Sequence, residues 1–364
     1  MCLRRLLAIA VALGAGAPRF SSAASPTVAT GVRDLHRQVR GAKRALETKT
    51  ELRDYRESPL HPTEIVERIH AMESADAWAA LCTELTALPD DELELFEDEV
   101  RKPDHARHLG CAPVLEKRLD AFWKAAARQL GDAHPLPSAA DARVENVAVI
   151  VDVSRDPVFT DGALGPGQIA LTFDDGPHPT RTPRVLAILQ AAGVKATFFQ
   201  IGRNAVAHPD VARQVLAAGH TVGSHTFSHP DLQKVPLPHA ESEVESGEAS
   251  VALALGVPTA RLPFFRFPYG AKSTGEQAFV SGRGNTTFFW NMDSQDWKIR
   301  DPHRLFLNVL QQIDQRGRGI ILFHDIHEQT VIVLPHVLAE LRARHLQTVV
   351  FVAGGARQPA ADAR

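Results

Sequence analysis

The spacing at which hydrophobic residues recur changes along this chain. In the first third, Val32, Leu35, Val39 and Leu46 recur at spacings of three, four and seven, which is typical of one face of a helix. We expect Asp76 to cap a helix and Pro113 to lie in the first turn of another. The apolar stripes of these two helices, predicted to form core, are Trp78, Leu81, Cys82, Leu85 and Leu88, and Leu115, Leu119, Phe122 and Leu130. The pattern predicts an α-helical region over residues 25–140.

A segment rich in Gly, Asp, Pro, Ser and Ala at 131–142 predicts a linker, and beyond it short apolar runs alternate with helical patterns. The predicted strands are 147–151, 169–173, 196–201, 221–223, 264–267, 286–290, 319–323 and 348–352. The predicted helices are 182–192, 210–218, 238–255, 302–315 and 334–344. Repeated βα units favour a parallel sheet, open or closed into a barrel. We expect a linker and leading strand over 141–165, a catalytic domain over 166–354 and a flexible tail over 355–364.

Composition and charge narrow the class of protein. The chain has 364 residues, 44% of them hydrophobic, and a formal net charge of -3. These values are typical of globular domains. Lys and Arg are interspersed with Asp and Glu rather than gathered into a stripe, so we expect no nucleic-acid partner.

The N-terminus has the layout of a secretory signal peptide. Arg4 and Arg5 precede an apolar run at 6–17, and small residues follow at 22–24. The run is shorter than the roughly 20 residues that cross a bilayer, so we predict a cleaved signal over 1–24 and no stable membrane span. The protein would be exported, to the periplasm or the extracellular space. Cys82 and Cys111 would then be its only cysteines, either paired as a disulfide or buried as free thiols.

Polar clusters follow the apolar runs of the second region. Asp174 and Asp175 follow the run at 169–173, and His225 and His229 follow the run at 221–223. Three further clusters, which also follow apolar runs, are 266–270, 293–297 and 324–325. Because chemistry in parallel βα folds collects where strands end, we expect the five clusters to converge on one rim.

Two imidazoles and one carboxylate can bind a divalent transition metal and leave positions open for water and substrate. We expect His225 and His229, four residues apart, to face the same way on one helical turn. One carboxylate of Asp174 and Asp175 can complete the set, but neighbouring side chains on an extended strand diverge, so the other is free to act as a base. The residues alone leave open which aspartate does which. Zn²⁺ is the expected metal, and Co²⁺, Ni²⁺ or Mn²⁺ fit the same ligands.

These clusters resemble the motifs of a known family, the carbohydrate esterase family 4 polysaccharide deacetylases, whose catalytic unit is called the NodB homology domain. The five matching segments occur in the family's order: Thr172-Phe173-Asp174-Asp175-Gly176, Ser224-His225-Thr226-Phe227-Ser228-His229, Arg266-Phe267-Pro268-Tyr269-Gly270, Asp293-Ser294-Gln295-Asp296-Trp297 and Leu322-Phe323-His324-Asp325. The resemblance covers about residues 165–354. It implies a distorted (β/α) barrel, preceded here by a helical region that is not part of the family's catalytic core.

The resemblance also separates the two aspartates. It implies that Asp175, His225 and His229 are the metal ligands, and that Asp174 is the general base, held by an ion pair with Arg266. A carboxylate beside a metal-activated water is suited to accept its proton.

The later motifs imply the remaining roles. By resemblance, His324 is the general acid that protonates the leaving amine, and Asp296 orients it. The backbone N–H of Tyr269 would stabilise the oxyanion, and Trp297 and Leu322 would line the pocket for the acetyl methyl group. An amine leaves readily only when it receives a proton, so the reaction needs a general acid.

The resulting hypothesis is a hydrolase that removes N-acetyl groups from the amino sugars of an acetylated polysaccharide, peptidoglycan or chitin-like. The alternatives are an O-acetyl esterase acting on xylan or a similar glycan, and a non-catalytic carbohydrate-binding protein. Ser224 stands where asparagine is common in the family, which is expected to tune metal binding rather than abolish it. The residues near the motifs to which we assign no chemistry are His178, His220, Trp290, Asp325 and His327.

Overall fold

The computed structural model describes residues 70, 75–137, 144–151, 158–160, 164–257 and 262–354. The chain divides into two compact units, Met1–Ala125 and Ala126–Arg364. The predicted signal peptide, the apolar stripe at 32–46 and the predicted tail lie outside the described residues. Among the described residues, no helix has both the length and the apolar character needed to cross a bilayer.

The first unit is helical where it is described. Its helices are α1 (Ala75–Ala87), α2 (Asp90–Leu93), α3 (Glu97–Arg101), α4 (Pro103–Ala106) and the start of α5 (Ala112–Ala133), with a 3₁₀ turn at Glu94–Phe96. Most of the predicted stripe residues pack into one core that includes Trp78, Leu81 and Leu115. Phe122 is not part of this core, and Leu130 belongs to the main hydrophobic cluster of the second unit. Asp76 lies inside the first turn of α1 rather than ahead of it, so the predicted cap is wrong. Pro113 is the second residue of α5, as predicted, and this helix continues to Ala133, into the segment predicted as linker.

Cys82 and Cys111 form a disulfide, which decides between the two alternatives left open by the sequence. Cys82 lies in α1, and Cys111 directly precedes α5. The bond therefore ties the first long helix to the start of the second within the helical unit. Such bonds persist in oxidising compartments.

The second unit is built on a sheet of ten described strands, and every pairing in it is parallel. The strands are β1 (Asn146–Val151), β2 (Val158–Phe159), β3 (Gln168–Asp174), β4 (Thr197–Gln200), β5 (Thr221–Ser224), β6 (Phe264–Phe265), β7 (Thr286–Phe288), β8 (Met292–Asp293), β9 (Gly319–His324) and β10 (Gln347–Ala353). The helices between them are α6 (Arg181–Ala192), α7 (Gly202–Ala207), α8 (Pro209–Ala217), α9 (Leu237–Ala254), α10 (Thr274–Gly282), α11 (Pro302–Arg316) and α12 (Glu328–Ala343). Two 3₁₀ turns lie at Leu232–Lys234 and Pro268–Gly270.

The sheet curves around an aromatic interior. Its order is β1, β10, β3, β4, β5, β6, β7, β2, while β9 pairs with both β3 and β8. Phe351 of β10 and Phe288 of β7 are far apart in this order, yet their ring centroids are 4.8 Å apart. Thr221 of β5 also donates a hydrogen bond to the Phe351 carbonyl oxygen across the same interior. Side chains from distant strands can meet in this way only when the sheet curls towards a barrel.

A second layer covers the outside of the sheet. The helices α6, α11 and α12 pack against the outward residues of β3, β4 and β9 in the main hydrophobic cluster, which includes Leu189, Phe173 and Val337. The aromatic rings of Phe173 and Phe198 stack there at 4.9 Å. Strands that are buried on both faces read as continuous apolar runs, which is why their positions were readable from the sequence.

Three elements have a boundary that differs from the prediction by more than one residue. The predicted helix at 334–344 begins at Glu328, because its β-branched residues Thr330, Val331 and Val333 are buried and packing overrides their low helix propensity. The predicted strand at 264–267 ends at Phe265, which releases Arg266 at the rim. The predicted strand at 286–290 ends at Phe288, and a short strand, β8, follows it. The apolar pattern did not predict α7, α10, β2 or β8.

Candidate active site

The predicted polar clusters lie at the carboxyl ends of neighbouring strands. Asp174 is the last residue of β3, His324 is the last residue of β9, and these two are paired in register. Arg266 directly follows β6, and its N–H donates to the carbonyl oxygen of Ser224 at the end of β5. Parallel strands bring their carboxyl ends to one edge, so the rim predicted from the sequence exists.

The residues expected to bind metal face one another. The Oδ1 atom of Asp175 is 3.5 Å from His225 Nε2 and 3.3 Å from His229 Nε2. His225 Nδ1 lies 2.7 Å from the Arg266 carbonyl oxygen, so this nitrogen carries the proton and Nε2 presents its lone pair to Asp175. Asp175 has a φ of 73°, and this left-handed backbone turns its side chain away from that of Asp174.

Protonation at these residues fits a divalent cation. Burial acts to raise the pKa of Asp175, but the four imidazoles of His229, His324, His225 and His327 outweigh it and lower this pKa to about 2. Burial, together with the neighbouring His229, lowers the pKa of His225 to about 3. Asp175 Oδ1 is buried and has no hydrogen-bond partner among the described residues. A divalent metal requires deprotonated ligands. Here a neutral imidazole faces a charged carboxylate whose buried oxygen accepts no hydrogen bond, which is the arrangement that such a metal needs.

The two histidines do not lie on a helical turn, and this prediction is wrong. Residues 225–229 form a loop in which Thr226 and His229 have φ values of 66° and 64°. The His229 N–H donates to Thr226 Oγ1 at 3.1 Å. The carboxylate of Glu243 on α9 accepts the N–H groups of Phe227 and Ser228 at 3.1 and 2.8 Å. The four-residue spacing therefore works through a tight loop whose N–H groups are bonded by a helix side chain.

Glu243 is a functional candidate that the sequence analysis missed. Its Oε1 also accepts the Ser228 hydroxyl at 2.8 Å, so one buried carboxylate holds most of the histidine loop. Gly247, one turn further along α9, lets the helix approach closely, because an added Cβ would lie 2.3 Å from the Thr226 carbonyl carbon. A glutamate and a glycine four residues apart on a predicted helix carry no signal of this contact.

Asp174 is paired with a fully buried arginine. Arg266 Nη1 donates to Asp174 Oδ1 and to Thr172 Oγ1, both at 2.8 Å. Arg266 Nε donates to the carbonyl oxygen of Phe288 at 3.4 Å, and Nη2 donates to that of Phe289 at 3.2 Å. Burial raises the pKa of Asp174 to about 6, against the opposing charge of Arg266. A carboxylate with a pKa close to neutral is suited to accept a proton from water.

Asp174 also faces the proposed ligand set. Its second oxygen, Oδ2, lies 3.7 Å from His225 Nε2. The guanidinium of Arg266 lies 4.3 Å from the ring centroid of Phe199, which belongs to the aromatic interior. The arginine therefore lies against the aromatic interior of the sheet, and Asp174 contacts both Arg266 and His225 of the proposed ligand set.

His324 also approaches the proposed ligand set and is held by Asp296. His324 Nδ1 lies 2.6 Å from Asp296 Oδ1, and the backbone N–H of His324 donates to Asp296 Oδ2 at 2.7 Å. Burial acts to lower the pKa of His324, but the charge and hydrogen bond of Asp296 outweigh it and raise this pKa to about 10. The His324 side chain is thus an imidazolium at neutral pH, and its Nε2 lies 3.9 Å from Asp175 Oδ2.

Two residues that the sequence analysis missed support Asp296. Thr330 Oγ1 donates to Asp296 Oδ2 at 2.6 Å, and Gln329 Nε2 donates to the Asp296 carbonyl oxygen at 2.6 Å. Both lie in the first turn of α12, in the part of this helix that the sequence pattern did not predict. An amphipathic pattern identifies buried faces but not which buried polar residue meets which partner.

His327 also approaches Asp296 and His324, and the three form a second group of residues of the type that binds metal. Both carboxylate oxygens of Asp296 already accept hydrogen bonds, from His324 and from Thr330. A metal would have to displace these bonds, so the group is better described as a hydrogen-bonded Asp296–His324 pair with a neighbouring imidazole than as a second metal centre. Burial lowers the pKa of His327 to about 3, which keeps it neutral.

The residues expected to contact substrate lie at the same rim. Tyr269 has a φ of 60° in the 3₁₀ turn after Arg266, and its ring centroid is 4.6 Å from that of His229. Leu322 is buried in β9 and lies on the same face as His324, two residues away. Trp297 directly follows Asp296, and its side chain is half-buried.

Three residues without assigned chemistry have structural partners. His178 Nδ1 accepts the N–H of Arg181 at 3.1 Å, at the start of α6. His220 Nδ1 accepts the N–H of Ala196 at 3.1 Å, and burial lowers the pKa of His220 to about 4. The Trp290 ring lies 5.4 Å from the Arg266 guanidinium.

Comparison with known proteins agrees with the resemblance. The model of the polysaccharide deacetylase family matches residues 161–279. A chitooligosaccharide deacetylase of Azorhizobium caulinodans is 40% identical over 157 residues, which are 43% of this chain and 73% of the relative. The peptidoglycan-N-acetylglucosamine deacetylase PgdA of Listeria monocytogenes is 35% identical over 185 residues, and the match spans 50% of this chain but only 37% of that relative.

A solved structure extends the likeness to both units. The structure of a peptidoglycan deacetylase from Bdellovibrio bacteriovorus matches with a TM-score of 0.77 and 30% identity, over 89% of this chain and 96% of that chain. The chain belongs to the polysaccharide deacetylase family. The match to the family model ends at residue 279, so it does not include Asp296 or His324. The contact between these two residues is observed in the structure instead.

Proposed function

We propose that this protein removes N-acetyl groups from the amino sugars of peptidoglycan. The observation that carries the proposal is the flanking of one ligand set by a base and an acid. Asp174, which is paired with Arg266, lies 3.7 Å from His225 Nε2, and His324, which is paired with Asp296, lies 3.9 Å from Asp175 Oδ2. A non-catalytic member of the family has no need of both pairs, and this chain has both intact.

Asp175, His225 and His229 would hold the metal, and their donor set suits Zn²⁺, with Co²⁺, Ni²⁺ or Mn²⁺ fitting the same ligands. When bound there, such a metal supplies Lewis-acid chemistry and lowers the pKa of a water molecule from about 15.7 to about 7. The preset orientation of His225 through the Arg266 carbonyl oxygen supports this assignment.

The chain's own groups move the protons. Asp174 accepts a proton from the attacking water as the water oxygen bonds to the acetyl carbonyl carbon, and Arg266 keeps the side chain oriented. The backbone N–H of Tyr269 donates to the oxyanion that develops. His324 then donates its Nε2 proton to the amide nitrogen as the C–N bond breaks, which yields acetate and a free amino group. Trp297 and Leu322 would line the pocket for the methyl group.

The substrate class rests on the breadth of the structural match. The Bdellovibrio bacteriovorus structure, described as a peptidoglycan deacetylase, matches this chain over 89% of its length and so includes the helical unit. Chitin-like oligomers are the second candidate, because the relative at 40% identity is a chitooligosaccharide deacetylase. The disulfide between Cys82 and Cys111 supports export to the periplasm or the extracellular space, where such glycans are found.

The test is acetate release from purified protein with peptidoglycan, chitin oligomers and acetylated xylan, each with and without a chelator. We expect release from peptidoglycan that chelator abolishes and Zn²⁺ restores. Release from xylan alone would instead establish the O-acetyl esterase, and release from none would contradict the proposal.

Two sets of variants test the assigned roles. His225→Ala and His229→Ala should each lose bound metal, and unchanged metal content would show that the ligand assignment is wrong. His324→Asn should slow N-acetyl hydrolysis by roughly 10²-fold or more, yet slow hydrolysis of an aryl acetate much less, because a phenolate leaves without a proton. Equal losses on both substrates would contradict the role of His324 as the acid.

A further inference from the structure

Asp325 follows the proposed acid His324, and its carboxylate is buried against the loop after β3. It is 1% exposed. A Cβ added at Gly176 would lie 2.4 Å from both carboxylate oxygens of Asp325. The backbone of Gly176, the residue after the proposed ligand Asp175, therefore lies directly against this carboxylate.

A second contact fastens the same loop. The hydroxyl of Thr182, at the start of α6, donates to Asp325 Oδ2. The Thr182 oxygen in turn accepts the N–H of His178 at 2.8 Å. The loop from 175 to 182 is thus joined to the end of β9 through Gly176 and through Thr182.

The opposite side of the loop is held as well. The N–H of Ile201 donates to the Gly176 carbonyl oxygen at 3.0 Å, and Asn204 Nδ2 donates to the Asp175 carbonyl oxygen at 2.8 Å. Both donors lie beyond the end of β4. Asp175 has a φ of 73°, a conformation that an aspartate keeps only when its surroundings impose it.

Packing alone does not account for a carboxylate at this place. Asp325 Oδ1 has no hydrogen-bond partner among the described residues, and a buried polar atom in that state costs free energy. An apolar side chain of similar size would fill the space without that cost. A carboxylate, however, makes two contacts at once: it packs against the backbone of Gly176, and it accepts a hydrogen bond from the Thr182 hydroxyl.

We propose that Asp325 is a positioning residue that, through Gly176 and Thr182, sets Asp175 in the orientation in which its Oδ1 faces His225 and His229. The inference rests on the metal site of the proposed function. The contact has two parts, a steric one at Gly176 and a hydrogen bond at Thr182, and each can be altered separately.

The steric part is tested by a double-mutant cycle on the full-length apoprotein, with Zn²⁺ affinity measured by competition with a chromogenic chelator. Asp325→Ala and Gly176→Ala should each weaken Zn²⁺ binding by about 10- to 100-fold. The double variant should bind roughly tenfold more tightly than the product of the two losses predicts, because the new methyl group occupies space that the carboxylate vacates. The φ of Gly176 is outside the left-handed region, so the methyl group probes this contact and not the backbone.

Matched controls separate this effect from general damage. Gly282→Ala adds a methyl group with no heavy atom within 4 Å, and Asp314→Ala removes an exposed carboxylate that pairs with Arg344. Both should bind Zn²⁺ as the unaltered protein does. For the hydrogen bond, Thr182→Val should weaken binding, and Thr182→Ser, which keeps the hydroxyl, should restore it.

Strictly multiplicative losses in the cycle, or equal affinities of the Thr182→Val and Thr182→Ser variants, would overturn the inference. Circular dichroism identifies any variant that does not fold. If Asp325→Ala does not fold, the comparison of Zn²⁺ affinity between the Thr182→Val and Thr182→Ser variants tests the inference. The proposed function fails in a different way, through Zn²⁺ binding that His225→Ala and His229→Ala leave unchanged.

Discussion

The proposed base side, Asp174 with Arg266, and the proposed acid side, His324 with Asp296, each contain a buried carboxylate, and the pKa values of these two carboxylates are shifted in opposite directions. Burial raises the pKa of Asp174 to about 6, although Arg266 is beside it. For Asp296, burial acts in the same direction, but His324 and Thr330 outweigh it and lower the pKa. Depth of burial therefore does not decide the charge of either group.

The difference lies in the hydrogen bonds that each carboxylate accepts from the described residues. Asp174 accepts one from Arg266, and that guanidinium also donates to Thr172 and to two carbonyl oxygens. Asp296 accepts three, from the ring and the backbone of His324 and from Thr330. Hydrogen bonds to the charged form stabilise it, so Asp296, on the proposed acid side, stays an anion, whereas Asp174, on the proposed base side, can take a proton.

The largest effect is expected on the base side. Asp174→Asn keeps the shape of the side chain but cannot accept a proton, so kcat should fall by roughly 10³-fold. The measurement is acetate release, with bound metal determined on the same sample. Activity close to that of the unaltered protein with full metal content would show that Asp174 is not the base.

A smaller loss is expected on the acid side. Asp296→Asn removes the charge that raises the pKa of His324, and kcat at pH 8 should fall by roughly 10²-fold. The pH at which activity declines should move from about 10 towards neutral, because His324 would lose its proton earlier as pH rises. A variant that keeps the alkaline limit near pH 10 would contradict the comparison.

The unaltered protein should show both pKa values in its pH profile. Asp174 must be deprotonated to act, and its pKa is about 6, so kcat/KM should fall about tenfold between pH 8 and pH 5. On the alkaline side His324 must stay protonated, so activity should persist until the pH approaches about 10. In the Asp296→Asn variant only the alkaline limit should move. If the acid limit moves with it, the two sides are not independent.

The smallest effect is expected at Thr330. Thr330→Val removes one of the hydrogen bonds to Asp296, and kcat should fall roughly 3- to 10-fold while metal content is unchanged. Thr330→Ser keeps the hydroxyl and serves as the control. A loss of equal size in the serine variant would show that packing, rather than the hydrogen bond, accounts for the effect.

Much of the second unit could be predicted because local pattern and tertiary role coincide there. The parallel strands are apolar on both faces, and the residues that end them at 174, 224 and 324 are polar, so strand and rim were both visible. The family prediction is confirmed. The prediction of a helical turn at 225–229 is wrong because residue spacing does not specify the left-handed φ values of Thr226 and His229.

The sequence by itself determined the βα alternation, the helical character of the described first unit, the ordered motifs and the family. These follow from the period of apolar positions and from the identity of a few polar residues, both of which are local. Only the tertiary structure decided that Glu243 holds the histidine loop, that Thr330 holds Asp296 and that the Asp325 carboxylate lies against Gly176. These contacts join residues 15 or more positions apart, and their energies depend on burial and on hydrogen-bond geometry, which no local pattern encodes.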